Sequence, residues 1–237
     1  MNDTRSVTSG PLRAGAVATG LTVTAIVASF VVGFGAIIPA ILLGYAVDAL
    51  PVLVAGLIAG QLGFLAVGYL YVRWRDFSIP LSRPSRRGVG IIVGGTVLAL
   101  AVAMGMSLLI QFLGVLPESV IEETATLHPA FLLVIAALSV VLVAPVEEYL
   151  FRGVIQGRLR ESFGPVGAVL GASLLFGAVH VFNYLGSPIQ MLAGVLLITS
   201  VGVVFGALYE LTDNLTVPIM VHAIYNVILM LFAYAAM

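Results

Sequence analysis

Six polar residues stand in otherwise apolar stretches of the second half of the sequence, and their types suit acid–base chemistry: Glu147, Glu148, Arg152, His180, His222 and Asn226. Burying an ionisable side chain in hydrocarbon costs free energy, which only partners or water can offset. An ionisable residue within an apolar helix is therefore a functional hypothesis. Several of them within 80 residues strengthen that hypothesis.

Helical spacing assigns partners within this set. Glu148 and Arg152 are four residues apart, so on a helix they can pair with each other. Successive helical residues point about 100° apart, so Glu147 and Glu148 are not expected to face one centre. One Glu is predicted to be free for chemistry, and the other is predicted to be tied to Arg152. His222 and Asn226 also share one helix face.

Two kinds of chemistry suit these residues. A Glu can activate water as general base, while His and Asn donors stabilise a tetrahedral oxyanion. Alternatively, Glu147, His180 and His222 form a His₂Glu set that can hold Zn²⁺ with an open position for water. The sequence leaves both chemistries open, and the cofactor with them.

The composition predicts that a membrane positions these residues. Of 237 residues, 61% are hydrophobic and 9% are charged, with a mean hydropathy of +1.17. Soluble domains carry about 25% charged residues, so an ordinary soluble globule is excluded. There is no Cys, hence no disulfide framework. The net charge is −1 and there is no Lys, so the sequence does not indicate a nucleic-acid partner.

Charge-free intervals of about 20 residues mark candidate spans, and they predict an all-α, polytopic transmembrane helix bundle of about seven spans. Residues 1–237 are expected to form one membrane-embedded domain. The first interval contains Pro39 and is interpreted as a retained helix that bends near its end, rather than as a signal peptide. The spans are expected between Arg13 and Asp48, over 52–72, over 88–116, from Ala130 through the 140s, on each side of the turn at 183–188, and after Asp213.

Helix depths allow the polar residues to meet. At 1.5 Å per residue, Glu147 lies about 16 Å in from Arg158, and His180 about 22 Å in from Pro165. By the same rise, His222 and Asn226 lie about 13 and 20 Å in from Asp213. All are predicted to meet in the inner to middle membrane.

Arginine placement predicts the orientation. Five arginines crowd one short loop, whereas the loop with Glu118, Glu122 and Glu123 has no base. By the positive-inside rule the arginine loop is cytoplasmic. Counting spans then places the N-terminus, with Arg5 and Arg13, in the cytoplasm and the C-terminus outside. An integral, multi-pass protein of the cell membrane is expected.

Glycines at four-residue spacing predict close helix packing within the bundle. The pairs are Gly56 and Gly60, Gly90 and Gly94, Gly167 and Gly171, and Gly202 and Gly206. The signatures of three other classes of intramembrane protease are absent: there is no HExxH motif, no aspartate inside a span and no Gly-x-Ser-x-Gly setting.

Three motifs on successive helices carry a family resemblance. Residues 147–152 read EExxxR, Phe176 to His180 read FxxxH, and His222 to Asn226 read HxxxN. In this order they resemble the CPBP family of CAAX proteases and bacteriocin-processing enzymes, also called the abortive-infection family, which includes the eukaryotic CAAX prenyl endopeptidase. The resemblance covers residues 130–237, the expected catalytic four-helix core; residues 1–129 are expected to be accessory N-terminal helices.

The resemblance implies an intramembrane endopeptidase whose site opens to the cytoplasm. It implies that Glu147 is the catalytic base and that Glu148 and Arg152 are its supporting pair. It further implies that His180 is a water or metal partner, and that His222 and Asn226 stabilise the oxyanion. The expected partners are membrane lipids and a membrane-associated peptide or protein substrate, including prenylated CAAX-type ones, and no nucleic acid.

Two other functions stay open at this level. A non-proteolytic membrane scaffold or immunity protein would keep the same fold. A small transporter with a proton-relay chain of Glu and His would explain the buried ionisable residues but not the motif set.

Overall fold

The fold is all-α, as predicted from the charge-free intervals. The computed structural model describes residues 10–237, and Arg5, assigned above to the cytoplasmic side, lies outside the described residues. Strands β1 (Glu118–Ser119) and β2 (Tyr184–Leu185) form one antiparallel pair between two loops. The helices are α1 (Pro11–Leu42), α2 (Leu50–Arg75), α3 (Arg86–Phe112), α4 (Val120–Leu127), α5 (Ala130–Leu138), α6 (Ala144–Glu148), α7 (Gly157–Val179), α8 (Pro188–Thr212) and α9 (Thr216–Ala235).

Six helical stretches in residues 10–237 are long and apolar enough to cross a membrane. The longest, Ala130–Asn183, has 54 residues, which at 1.5 Å each is about 80 Å, more than twice a bilayer core. Gly164 breaks this stretch with φ 68° and ψ −177°, a conformation that favours glycine. The break divides it into two segments at the position expected from Pro165, and these helices fit an integral multi-pass membrane protein.

The polar motif lies in an unusual helical segment. Two π-helical stretches, Ser139–Val143 and Tyr149–Gln156, flank the five residues of α6. Pro145 at the start of α6 lacks an N–H and clashes with the carbonyl one turn earlier, which favours a wider turn there. Wide turns inside α-helices are frequent at functional sites.

Two buried clusters hold the bundle together. One joins α1 and α2 to the second π-helical stretch and α7, around Leu150, Phe151 and Phe176. The other joins α3, α8 and α9 around Phe205 and Val221. The motif helices are thus packed on both sides, while the outer faces of α1 to α3 expose apolar side chains, as lipid-facing helices do.

The loops sort into two ends of the bundle. At one end, the backbone N–H of Leu215 donates to Pro80 O (2.9 Å), and Asn214 exchanges hydrogen bonds with the backbone of Ser82. At the other end, Gln190 donates to Leu116 O (2.9 Å), next to the β1–β2 pair. The arginine-bearing α2–α3 loop and the acidic α3–α4 loop therefore lie at opposite ends of the bundle.

Helix α4 was not predicted, since Glu122 and Glu123 were interpreted as loop surface. Ser119 accepts a hydrogen bond from the Glu122 backbone N–H (3.4 Å) and caps the helix. The two glutamates occupy its first turn, where negative charge favours a helix. The pattern Ser119-x-x-Glu122 is a capping-box signal in the sequence.

The glycine pairs differ in what they contact. A Cβ at Gly56 or Gly60 would approach α1, and one at Gly202 or Gly206 would approach side chains from the motif helices, so both pairs serve packing within the bundle. A Cβ at Gly90 or Gly94 would meet nothing within 4 Å. That pair faces away from the bundle, contrary to the packing expected from its spacing.

Candidate active site

A buried carboxylate, Glu148, holds an arginine and a histidine together. Arg152 Nη1 donates to Glu148 Oε1 (3.2 Å), the pair expected from their spacing. His222 Nδ1–H donates to the same oxygen (2.8 Å), because an ionised carboxylate only accepts. Glu148 and Arg152 are fully buried, and His222 is 4% exposed. Each charge therefore has a partner, as burial requires.

Arg152 is also fixed by helix α8 and by two aromatic rings. Its Nη2 donates to Gly202 O (2.9 Å). Its guanidinium lies 4.4 Å from the ring centre of Phe176 and 5.5 Å from that of Phe205. A Cβ on Gly202 would come within 3.1 Å of Nη2, so the glycine is what allows this approach.

Glu147 faces the site centre from the other side of His222. Its Oε1 accepts a hydrogen bond from Gln61 Nε2 (3.0 Å). Its Oε2 lies 3.9 Å from His180 Nε2 and 4.0 Å from His222 Nε2. Glu147 is 8% exposed. The structure thus brings together five of the six predicted residues from three segments of chain.

Both imidazoles are oriented by their Nδ1 atoms. His180 Nδ1–H donates to Phe176 O (2.6 Å), because a carbonyl only accepts. The Phe176 ring lies 4.6 Å from the His180 ring, and Phe205 stacks on His222 at 4.8 Å and 23°. With each Nδ1–H engaged, each Nε2 points towards Glu147.

The two adjacent glutamates meet one common residue, which the 100° argument did not anticipate. Glu148 reaches Nδ1 of His222 and Glu147 reaches towards Nε2 of the same ring. The ring lies between the two carboxylates, so they approach it from opposite edges instead of sharing one centre. Their partners nevertheless differ, with Arg152 beside Glu148 only.

Asn226 stands one turn beyond His222 on α9 and is half-buried. Its Nδ2 donates to the hydroxyl of Ser139 (3.4 Å), which is fully buried at the start of the first π-helical stretch. An amide nitrogen carries two N–H groups, so a second donor accompanies the one given to Ser139.

The donor set does not fit a bound zinc ion. In a tetrahedral site with bonds of about 2.0 to 2.1 Å, neighbouring donor atoms lie about 3.3 to 3.4 Å apart. Glu147 Oε2 is 3.9 and 4.0 Å from the two Nε2 atoms. Within residues 10–237, no group of three His, Asp or Glu side chains is arranged to hold a metal ion. The zinc alternative therefore lacks support from the geometry.

Two buried amides, Gln61 and Gln156, are not among the six predicted site residues. Gln61 lies on α2 within a span that has no formal charge. Gln156 donates to Gly206 O (3.1 Å) and to Glu210 (3.0 Å), and Glu210 pairs with Arg160 (3.1 Å). An uncharged polar residue inside an apolar span is a weaker signal than a Glu or His, but it is visible in the sequence.

A separate cavity of about 350 Å³ opens at the arginine-bearing end. None of the six predicted site residues lines it. Its lining residues include Arg75, Arg158, Glu161 and Glu210, and Arg158 is paired with Glu161.

The fold is a bundle of long apolar helices, and the site is a Glu–His cluster buried within that bundle. Residues 129–228 match the family described as type II CAAX prenyl endopeptidase, Rce1-like. This match over 100 of the 237 residues supports the resemblance drawn from the three motifs. All six predicted site residues lie within the matched segment, and Gln61 lies outside it.

One curated protein resembles part of this chain. YpbD of Bacillus subtilis (strain 168), an uncharacterized protein, is 34% identical over 87 residues. These residues are 37% of this chain and 39% of YpbD, so the match spans well under half of that relative. No solved structure matches the chain.

Proposed function

We propose that this protein is an intramembrane endopeptidase that cleaves membrane-associated, CAAX-type substrates with Glu147 as general base. The observation that carries the proposal is the position of Glu147 Oε2, which faces Nε2 of both His180 and His222 at 3.9 and 4.0 Å. The match to the Rce1-like family supports the substrate class. The catalytic core is proposed to be 130–237, with accessory helices before it.

These distances suit a water molecule held between the three side chains. Two polar atoms about 4 Å apart can share one water at hydrogen-bond lengths of about 2.8 Å, with an angle near 90° at the water oxygen. A neutral imidazole whose Nδ1–H is engaged accepts at Nε2. Such a water donates one hydrogen to Glu147 and lies beside His180.

Hydrolysis can then proceed with this water and the side chains already described. Glu147 takes a proton from the water, and the hydroxide oxygen forms a bond to the carbonyl carbon of the scissile peptide. The resulting oxyanion is stabilised by the second N–H of Asn226, while Nε2 of His222, whose Nδ1–H is given to Glu148, accepts from the attacking water. Glu147 returns the proton to the amide nitrogen as the carbon–nitrogen bond breaks, which releases a carboxylic acid and an amine, and the acid then gives its proton to the amine.

Glu148 and Arg152 serve this step by orienting His222. Glu148 fixes Nδ1 of His222 at 2.8 Å. Arg152, held on Gly202 O and on the Phe176 ring, keeps Glu148 in place. Removing either is expected to misplace the imidazole by rotation of its ring.

The orientation proposed for the protein places the arginine end in the cytoplasm of the cell membrane. The N-terminus is then cytoplasmic and the C-terminus lies outside. A site in the inner half of the bilayer would receive C-terminal segments of lipid-anchored proteins from the cytoplasmic face.

The test is cleavage by the detergent-purified protein of fluorogenic peptides that end in a CAAX sequence, in farnesylated and unmodified form. Wild type is compared with Glu147→Gln, which keeps the side-chain volume and removes the base. Glu123→Gln is the matched control, because that residue is exposed on α4. We expect loss of at least 100-fold in kcat for Glu147→Gln and none for Glu123→Gln.

A chelator is added to each assay. Unchanged cleavage is expected from glutamate chemistry, whereas loss that Zn²⁺ restores would establish the metal alternative. Absence of cleavage of either peptide by folded wild type would refute the proposal and favour the scaffold function.

A further inference from the structure

Gln61 is a buried amide whose presence in α2 needs an explanation. It is 9% exposed, and its one hydrogen bond among the described residues is the 3.0 Å bond from Nε2 to Glu147 Oε1. Its Oε1 is buried without a hydrogen-bond partner in residues 10–237. An amide in an apolar span costs free energy when it is unpaired. Within residues 10–237, Glu147 is the one hydrogen-bond partner of this side chain.

The chemistry of the two groups fixes the direction of this bond. An ionised carboxylate only accepts hydrogen bonds, so Gln61 must turn its NH₂ group towards Glu147. The opposite orientation would place two acceptor oxygens against each other.

The bond divides the two oxygens of Glu147 between different tasks. Oε1 is occupied by Gln61, and Oε2 is left facing His180 and His222. Resting on the function proposed above, we propose that Gln61 is a positioning residue, which stops rotation of the Glu147 carboxylate and aims Oε2 at the water. The functional unit then extends beyond the segment that matches the Rce1-like family, since α2 lies outside residues 129–228.

Helix α2 is held firmly enough for this task. A Cβ on Gly63, two residues from Gln61, would lie 2.7 Å from backbone atoms of α1, and one on Gly60 would lie 2.8 Å from Ser29 Oγ. The two helices are therefore in backbone contact on either side of Gln61. Gln61 also borders an apolar groove of about 260 Å³ between α1 and α2, which Phe30 and Phe34 help to line.

Kinetics on the farnesylated peptide test the inference. Gln61→Leu removes the donor, and Gln61→Met does so with the length of the side chain retained. We expect kcat to fall about 10- to 100-fold with KM changed less than twofold, because substrate binding is left intact. Thr96→Val is the control, a buried polar residue on α3 that bonds only to its own helix.

A double-mutant cycle on thermal unfolding tests the same contact without any activity. The cycle uses Gln61→Leu, Glu147→Leu and the double variant. Each single substitution leaves a buried polar group unpaired, so the drop in Tm for the double is expected to be smaller than the sum of the single drops.

The two measurements separate the possible failures. If wild type cleaves and Glu147→Gln does not, the proposed function stands, and an unchanged kcat in both Gln61 variants refutes the positioning role alone. If wild type does not cleave, the proposed function fails. The cycle then still decides the contact, and additive drops in Tm would overturn it.

Discussion

Replacing Arg152 by methionine is expected to destabilise the protein through the charge it leaves behind. Arg152 is fully buried, pairs with Glu148 at 3.2 Å and donates to Gly202 O at 2.9 Å. In Arg152→Met the side-chain volume is largely kept. Glu148 then retains only His222 as a donor, and the carbonyl of Gly202 loses a partner.

The expected loss follows from the energetics of buried ion pairs. Breaking such a pair by removing one member costs about 3 to 5 kcal/mol, because the other charge stays buried without compensation. Removing both charges is much less costly. Adding Glu148→Gln to Arg152→Met should therefore recover most of the loss, since the amide oxygen still accepts from His222 Nδ1–H.

The assay is reversible denaturation in detergent, followed by circular dichroism, of the wild type, both single variants and the double. Arg87→Met, at an exposed position at the start of α3, is the control and should change the free energy of unfolding by less than about 0.5 kcal/mol. A double variant as unstable as Arg152→Met, or an Arg152→Met protein as stable as wild type, would refute the account of Glu148 as a dependent buried charge.

Three further predictions concern packing, pH and catalysis. Gly177→Ala would bring a Cβ within 2.7 Å of Val195 O and should lower the free energy of unfolding by about 1 to 3 kcal/mol. Gly90→Ala, with nothing within 4 Å of the new Cβ, should raise the free energy of unfolding by about 0.5 to 1 kcal/mol. A change of the same sign in both variants would contradict the packing account. Burial, and then a nearby carboxylate, raises the pKa of Tyr184 in β2 to about 12, so the unfolded chain loses this proton first. The Tm of the wild type should therefore fall as the pH rises from about 10 to 12, and the Tm of the Tyr184→Phe variant should fall less steeply. Equal slopes of Tm against pH in both proteins would contradict the raised pKa of Tyr184. Asn226→Ala should lower kcat about 100- to 1,000-fold if its second N–H stabilises the oxyanion, and a loss confined to KM would assign it to substrate binding instead.

What could be predicted from the sequence rests on local physics. Charges are costly in hydrocarbon, so the charge-free intervals marked the spans, and Gly164 divides the longest helix where the sequence placed a boundary. The pair of Glu148 and Arg152 follows from four-residue spacing on one helix. Such relations need no knowledge of how helices pack.

Relations between helices were decided by the tertiary structure. The 100° angle between successive helical residues predicted that Glu147 and Glu148 would not face one centre. Both nevertheless approach His222, because α9 places that ring between the two carboxylates. Gln61 is 86 positions from Glu147, and nothing in the spacing of α2 indicates that contact. The approach of Arg152 to Gly202 likewise depends on two helices that meet without a Cβ between them.

The sequence by itself determined an all-α membrane bundle and a set of residue types suited to acid–base chemistry, because hydropathy and helical periodicity act over one or two turns. The tertiary structure alone decided which oxygen of Glu147 faces the imidazoles, which amide holds the other oxygen and how far apart the donor atoms lie. These contacts change when the distance between two helices changes by a few tenths of an ångström. Close packing fixes such distances, and periodicity does not encode them.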